Sequence, residues 1–161
     1  MTRPRRLGRR RLAGALLLPG LAVVGVLTSG PVYADREVGD LTFFTSPSGN
    51  IGCVIGPAGA VGNPEPYVRC DIRERDWTPP PRPSECPSFT GYGQGIGVDA
   101  GRPAAFVCAG DTSFGNGATL AYGDSISAGA IRCTSMESAM TCRDTQTGHG
   151  FNLARQGYQL F

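Results

Sequence analysis

The sequence has almost no basic side chains other than arginine. Its 161 residues include one histidine and no lysine, so arginine fills all 15 basic positions. Six of these arginines precede residue 35, and the remaining nine face 13 acidic residues, which gives residues 35–161 a net charge of −4. An acidic surface lacks the positive charge that supplies most of the affinity for nucleic-acid phosphates. The composition therefore excludes nucleic acid as a partner of this part of the chain.

Long apolar runs are lacking as well, because beyond residue 34 none reaches the roughly 20 residues of a transmembrane helix. At the start, an arginine-rich stretch precedes the apolar segment 12–27 and Val32-Tyr33-Ala34, an A-x-A-like cleavage signal. We expect residues 1–34 to be a secretory signal peptide cleaved after Ala34, which leaves a secreted, extracellular protein without a membrane span. An uncleaved anchor is the alternative, but about 16 interrupted apolar residues are short for a span. The export route, general secretory or twin-arginine, stays open.

Six cysteines all follow residue 34, and an even number in an exported chain indicates disulfides. Zinc sites need cysteines in closely spaced pairs together with histidine or further cysteine. Here no two cysteines are closer than nine positions and the single histidine is His149. We therefore expect three disulfides, no metal and no cofactor.

Local patterns predict which cysteines pair. Segments 51–55 and 68–72 both alternate with period two, and each centres on a cysteine. Pairing them antiparallel with Cys53 opposite Cys70 sets Ile51 against Ile72 and Ile55 against Val68, matches that a register slip would lose. The sequence therefore predicts a hairpin closed by a Cys53–Cys70 disulfide.

The same arrangement recurs near the end of the chain. Placing Cys133 opposite Cys142 sets Arg132 against Arg143 and closes the hairpin at Glu137-Ser138. Two hairpins of one design indicate a weak internal repeat. The third disulfide is then Cys86–Cys108 by elimination.

The remaining segments also favour short strands. Prolines at 79, 80, 81 and 83 predict an extended surface strap from Trp77 to Pro83. Glycine at every second position of 91–97 indicates a strand with one bare face, against which an aromatic side chain would pack. Segments 104–108, 119–122, 125–127 and 151–160 read as further strands. We predict one all-β domain over residues 35–161, a small disulfide-stapled β-sandwich or barrel built from hairpins.

Five ordered motifs carry a resemblance to a known family: Phe44-x-Ser46-Pro47-Ser48-Gly49-Asn50-Ile51-x-Cys53, Val68-Arg69-Cys70-Asp71-Ile72, Phe106-Val107-Cys108-x-Gly110-Asp111-Thr112, Leu120-Ala121-Tyr122-Gly123 and Gly148-His149-Gly150-Phe151. With the six cysteines, they resemble small secreted proteins of high-GC Gram-positive bacteria that carry a six-cysteine domain of unknown function. The resemblance spans about residues 43–161 and implies export and disulfides, but it supplies no catalytic residue. Ala154 departs from the Leu-Ser-Arg pattern of that family, so a hydroxyl role is excluded there.

Candidate binding residues are few. His149, between two glycines, is the one side chain with an ordinary pKa near neutrality. The opposed Arg132 and Arg143 either bind a small anion or are neutralised by Glu137, Asp144 or a more distant acid.

Exposed aromatic residues would suit sugar or protein recognition, and Trp77, Tyr67 and Tyr92 are the candidates, with core packing as the alternative for each. The oxygen-rich segment 111–117 lacks the acid pattern of a calcium loop and reads as a turn.

These residues favour a monomeric binding module for an envelope glycan, a protein or a small anion. A secreted hydrolase built around His149 is one alternative, although the chain has no G-x-S-x-G motif. A disulfide-stapled protease inhibitor is another. The sequence does not identify the ligand, and catalysis is not favoured.

Overall fold

A computed structural model describes residues 30–161. The expected signal peptide lies almost entirely outside these residues. The described part holds twelve strands and a 3-10 turn: β1 (Asp35–Glu37), β2 (Thr42–Thr45), β3 (Ile51–Gly56), the 3-10 turn (Ala60–Gly62), β4 (Tyr67–Ile72), β5 (Gly91–Asp99), β6 (Ala105–Ala109), β7 (Ala118–Thr119), β8 (Ser125–Ala128), β9 (Ile131–Ser135), β10 (Met140–Asp144), β11 (Gly150–Leu153) and β12 (Tyr158–Leu160). Among the described residues, none form a helix long and apolar enough to cross a membrane.

The strands form two six-stranded sheets. Sheet A has the order β1-β8-β9-β10-β11-β12, and sheet B has the order β6-β5-β4-β3-β2-β7. Neither sheet closes on itself, and apolar side chains from both make one buried cluster. The predicted all-β fold is confirmed, as a sandwich and not a barrel.

Both predicted hairpin registers are confirmed. Cys53 lies opposite Cys70, with Ile51 opposite Ile72, and Cys133 lies opposite Cys142. The cysteines pair as the sequence indicated, in disulfides Cys53–Cys70, Cys86–Cys108 and Cys133–Cys142. The two hairpin disulfides meet in the centre of the core, where the Sγ atoms of Cys70 and Cys142 are 3.8 Å apart. The sandwich is therefore built by two stapled hairpins that face each other.

The two halves of the chain repeat one arrangement. Strands β2–β6 form one antiparallel meander and β8–β12 form the other. The short β1 precedes the first meander but pairs in parallel with β8, and β7 precedes the second but pairs in parallel with β2. Each meander thus takes its extra strand from the other half, and in both the disulfide joins the second and third strands. The weak repeat seen in the sequence is a repeat of topology.

Three details differ from the sequence prediction. Strands β1 and β2 were not predicted. The predicted strand 119–122 was wrong beyond Thr119, because Ala121 to Asp124 form a turn in which Asp124 N–H donates to Ala121 O (3.0 Å). The bare face of β5 meets no aromatic at Gly95, since a Cβ there would lie 2.1 Å from Asp71 Oδ1 and 2.7 Å from Val107 Cγ2.

An aromatic cluster closes one open side of the sandwich. Trp77 stands between Phe106 of sheet B and Tyr158 of sheet A, with ring centroids at 6.0 and 4.7 Å. Its indole N–H donates to Ala154 O at 2.9 Å. Because Trp77 contacts both sheets, the proline-rich strap that follows it begins at a fixed point.

Candidate binding cleft

A cleft of about 490 Å³ opens where loops of the two sheets meet. We call it the hairpin cleft. One wall comes from the β2–β3 turn and the other from the connection of the β9–β10 hairpin. Residues of segments 46–51, 73–74, 135–140 and 154–156 line it together with Tyr122. The lining is mostly hydroxyl, amide and charged groups, which suits a polar ligand.

Side-chain hydrogen bonds shape the first wall. The Ser46 hydroxyl accepts from Ile51 N–H (3.1 Å) and lies 3.1 Å from the Ser48 hydroxyl. Gly49 has φ +69°, a conformation that favours glycine. Asn50 donates its side-chain amide to Glu74 O and accepts from Glu74 N–H, both at 2.9 Å. The Ser-Pro-Ser-Gly-Asn motif therefore builds a fixed turn tied to the segment after β4.

The second wall carries apolar groups at the rim. Gly123, with φ +90°, donates its N–H to Ser135 O at 2.7 Å and so fixes the turn that bears Tyr122. Tyr122 and Met136 are 42% and 48% exposed beside a polar lining. An aromatic ring at the edge of a polar cleft is an arrangement that suits a flat, hydroxyl-rich ligand.

Ser135 is the polar group that the fold leaves unsatisfied. It is 0% exposed and lies in the wall of the hairpin cleft. Its Oγ has no hydrogen-bond partner among the protein's own groups, and no other buried side-chain N or O atom within residues 30–161 shares that condition. A buried hydroxyl without a partner costs free energy that the chain could avoid with alanine.

The predicted site residue His149 lies elsewhere. It sits half-buried in the β10–β11 loop, lining neither the hairpin cleft nor the cleft beside it. The loop is organised by Asp144, 1% exposed, whose carboxylate accepts from Gly101 N–H (2.8 Å), Gln146 N–H (2.9 Å) and the Thr147 hydroxyl (2.8 Å). Burial opposes ionisation of this carboxylate, but the hydrogen bonds outweigh it and the pKa of Asp144 lies below its ordinary value.

Arg132 and Arg143 lie opposite each other as predicted. Asp35 of β1 neutralises Arg132 with a 2.8 Å ion pair, so the distant acid is a residue of the first strand. Within residues 30–161, Arg143 has no carboxylate within 4.0 Å. Neither arginine lines the hairpin cleft. Their role as an anion site stays a prediction.

The three aromatic candidates differ in how deeply they are buried. Tyr67 is 9% exposed and its pKa is raised, first by burial and then by the charges of Asp99 and Asp111, so for this residue the core-packing alternative holds. Tyr92 is half-buried against Phe106, and Trp77 packs in the cluster described above. Their contact role stays a prediction, and neither lines the hairpin cleft.

The oxygen-rich segment 111–117 is fixed against sheet B. Arg69 forms a 2.6 Å ion pair with Asp111 and a 2.8 Å ion pair with the buried Asp71. Asp71 also accepts from Ser113 N–H at 2.9 Å, and the pKa of Asp111 is lowered by the Arg69 hydrogen bond. Within residues 30–161 no cluster of three or more His, Cys, Asp or Glu side chains is arranged to hold a metal ion.

Fold and cleft together define a class: a disulfide-stapled β-sandwich domain with a polar cleft at the meeting point of its sheets. The chain belongs to a family of unknown function, DUF6636, whose match covers residues 22–161. No curated protein and no solved structure matches it.

The residues of the cleft were missed at the sequence level, apart from the motif at 46–50 that was quoted for the resemblance. They come from segments far apart in the chain, and Ser135 looks like any strand-end serine in the sequence. No signal within one segment could have found them, because the cavity forms only when the two sheets pack together.

Proposed function

We propose that this protein is a monomeric extracellular binding module whose hairpin cleft takes a hydroxyl-rich ligand, an envelope glycan. The observation that carries the proposal is a 490 Å³ cleft lined mostly by hydroxyl, amide and charged side chains, with the buried Ser135 hydroxyl, which has no partner among the groups of residues 30–161, in its wall. The tyrosine ring at the rim and the serine and asparagine side chains of the β2–β3 turn supply the other contacts that a sugar needs.

Export belongs to the same proposal. Three disulfides fit an extracellular protein. Cleavage after Ala34 would leave a mature chain that begins with β1, at Asp35. The mature protein would then retain the Asp35 carboxylate that pairs with Arg132.

The test is binding of neutral oligosaccharides such as chitotriose, cellotriose and maltotriose, measured by calorimetry. We expect one of them to bind and Tyr122→Ala to weaken it about tenfold, because the variant removes a stacking surface. His149→Ala is the matched comparison, since His149 lies outside the cleft and its replacement should leave affinity unchanged. If His149→Ala abolishes binding and Tyr122→Ala has no effect, the site is in the β10–β11 loop and the proposal is wrong.

A protease inhibitor is a second candidate, because Phe89 is 90% exposed on a firmly held turn. Thr90 N–H donates to Pro87 O at 3.0 Å, and Arg82 donates to both Pro87 O (2.9 Å) and Thr90 O (2.8 Å) beside the Cys86–Cys108 disulfide. Proteases with an apolar specificity slot accept such a side chain. Inhibition of chymotrypsin that is lost in Phe89→Gly would support this candidate, and absence of inhibition by the unaltered protein would remove it.

A further inference from the structure

A second cleft, of about 550 Å³, lies beside the hairpin cleft and shares Arg73, Glu74 and Arg155 with it. We call it the arginine cleft, because Arg75 joins Arg73 and Arg155 in its lining. Three of the nine arginines of residues 35–161 therefore surround one cavity of a domain whose net charge is −4. With Asp71 and Glu74 in the same lining, the cavity carries a net charge of +1 in a domain whose net charge is −4.

Aromatic rings hold two of these guanidinium groups. The Arg73 guanidinium lies 4.3 Å from the centroid of the Phe114 ring, and that of Arg75 lies 4.9 Å from the Trp77 ring. Arg75 also donates one N–H to Gly93 O. Stacking fixes the plane of a guanidinium and leaves its in-plane N–H donors available to a planar anion.

Acidic neighbours do not neutralise this pair. Within residues 30–161, no carboxylate lies within 4.0 Å of Arg73 or Arg75. The carboxylate of Asp71, which lines the same cleft, is bound by Arg69.

Two further acids near the cleft are engaged by Arg155, Glu74 at 3.2 Å and Asp76 at 3.4 Å. The arginines of this region therefore fall into two groups, since Arg69 and Arg155 form internal ion pairs, whereas the two stacked arginines line the cleft without a carboxylate partner in the described part of the chain. Bidentate contact with a carboxylate or phosphate is the use for which a held guanidinium is suited.

We propose that the arginine cleft binds the anionic substituent, a carboxylate or phosphate, of the same saccharide whose uncharged part occupies the hairpin cleft. This inference rests on the proposed function and narrows it to acidic glycans. The shared lining of the two clefts lets one ligand reach both.

The experiment compares trigalacturonate with maltotriose by calorimetry at low salt, using the unaltered protein, Arg73→Gln and Arg102→Gln. Arg102 is exposed in the β5–β6 turn, at the other end of sheet B, so its variant matches the loss of charge without touching either cleft. We expect trigalacturonate to bind at least tenfold more tightly than maltotriose, and Arg73→Gln but not Arg102→Gln to remove that preference. Raising the salt concentration should also reduce the difference in affinity between trigalacturonate and maltotriose.

Arg75→Gln provides a second variant, with melting temperature as the check that the fold survives. Comparing the affinities for glucose 6-phosphate and glucose shows whether phosphate, rather than carboxylate, is the recognised group. Equal affinity for trigalacturonate and maltotriose, with Tyr122→Ala weakening both, would overturn the acidic-glycan inference and leave the hairpin cleft standing. If no saccharide responds to Tyr122→Ala, the proposed function fails instead. Equal losses in Arg73→Gln and Arg102→Gln would show a general charge effect and would also overturn the inference.

Discussion

The two halves of the molecule share a core and differ at their loops. In each half, four consecutive strands each contribute one buried residue to a row that runs across the sheet. All eight residues are at most 1% exposed. The rows are Phe44, Cys53, Cys70 and Ile96 in sheet B, and Ile126, Cys133, Cys142 and Phe151 in sheet A. The shared rows show that the fold requires a stapled hairpin at the same place in both meanders.

The loops, unlike the core, are not dictated by the fold. The hairpin cleft lies between the β2–β3 turn and the β9–β10 connection. By the repeat, its counterpart lies between the β8–β9 turn and the β3–β4 connection, and there Pro66 covers Gly129, with a Cβ at Gly129 only 3.0 Å from Pro66 Cγ. Of the two equivalent positions, one is filled and the other is open. The open cleft is therefore set by the loop residues and is not a consequence of the topology.

The largest test of the shared core is removal of each hairpin disulfide by a double alanine variant. The Cys53–Cys70 link spans 17 residues and the Cys133–Cys142 link spans 9. Loop closure alone predicts losses of about 3 kcal/mol in the free energy of unfolding for either link, slightly more for the first, with a further loss from the missing sulfur volume. Chemical denaturation of both variants measures this. If one variant is as stable as the unaltered protein, the two hairpins are not equivalent staples.

A second test compares two glycines at equivalent positions. Gly95 directly precedes Ile96 of the sheet B row, and Gly150 directly precedes Phe151 of the sheet A row. A Cβ at Gly150 would lie 2.3 Å from Cys142 O, a backbone atom that cannot move away, whereas at Gly95 the nearest atom is a side-chain oxygen. We expect Gly150→Ala to cost about 3 kcal/mol and Gly95→Ala about 2 kcal/mol of unfolding free energy. Gly110→Ala, which meets nothing within 4 Å, is the control. The reverse order of the two losses would contradict the packing described for these strands.

A third, smaller effect concerns the two buried carboxylates, Asp71 in the first half and Asp144 in the second. Asp71 is paired with Arg69, whereas Asp144 is held by hydrogen bonds and, within residues 30–161, has no arginine partner. Asp144→Asn should cost about 1–2 kcal/mol at neutral pH, because the amide accepts fewer of the three hydrogen bonds. Since the pKa of Asp144 is lower folded than unfolded, its contribution is complete above the ordinary value of 3.8 and is lost as the pH falls towards the folded pKa.

Unfolding free energy measured from about pH 7 down to about pH 3 should therefore fall less steeply in Asp144→Asn than in the unaltered protein. Asp40→Asn, at an exposed position, serves as the control. Identical pH slopes for Asp144→Asn and the unaltered protein would show that the Asp144 hydrogen bonds do not favour the charged form.

The core of the fold could be predicted from the sequence, because the residues that set the strand registers lie close together in the chain. Alternation around Cys53 and Cys70, and the spacing of Cys133 and Cys142, set the registers within contiguous segments. Strand β1 escaped prediction because its exposed, polar residues show no alternation and its pairing with β8 joins residues 90 positions apart.

The cleft could not be predicted for the same reason. Ser46 follows β2 of sheet B and Ser135 ends β9 of sheet A, and nothing in either segment indicates that the sandwich brings them to one cavity. His149 drew attention as the single histidine, yet its surroundings place it in a loop organised by Asp144. Residue type alone identified a candidate side chain but not its position relative to a cavity.

The most direct test of the account is one variant with two measurements: Ser135→Ala, followed by the free energy of unfolding and by the affinity for the best-bound saccharide. Because the hydroxyl has no partner in the fold, we expect stability to hold or to rise by up to about 1 kcal/mol while affinity falls about tenfold. Ser125→Ala is the control, since the Ser125 hydroxyl is buried but lies 2.9 Å from Thr134 Oγ1, and its loss should lower stability and leave affinity unchanged. A Ser135→Ala protein that is destabilised and binds as before would contradict the assignment of the hairpin cleft as the binding site.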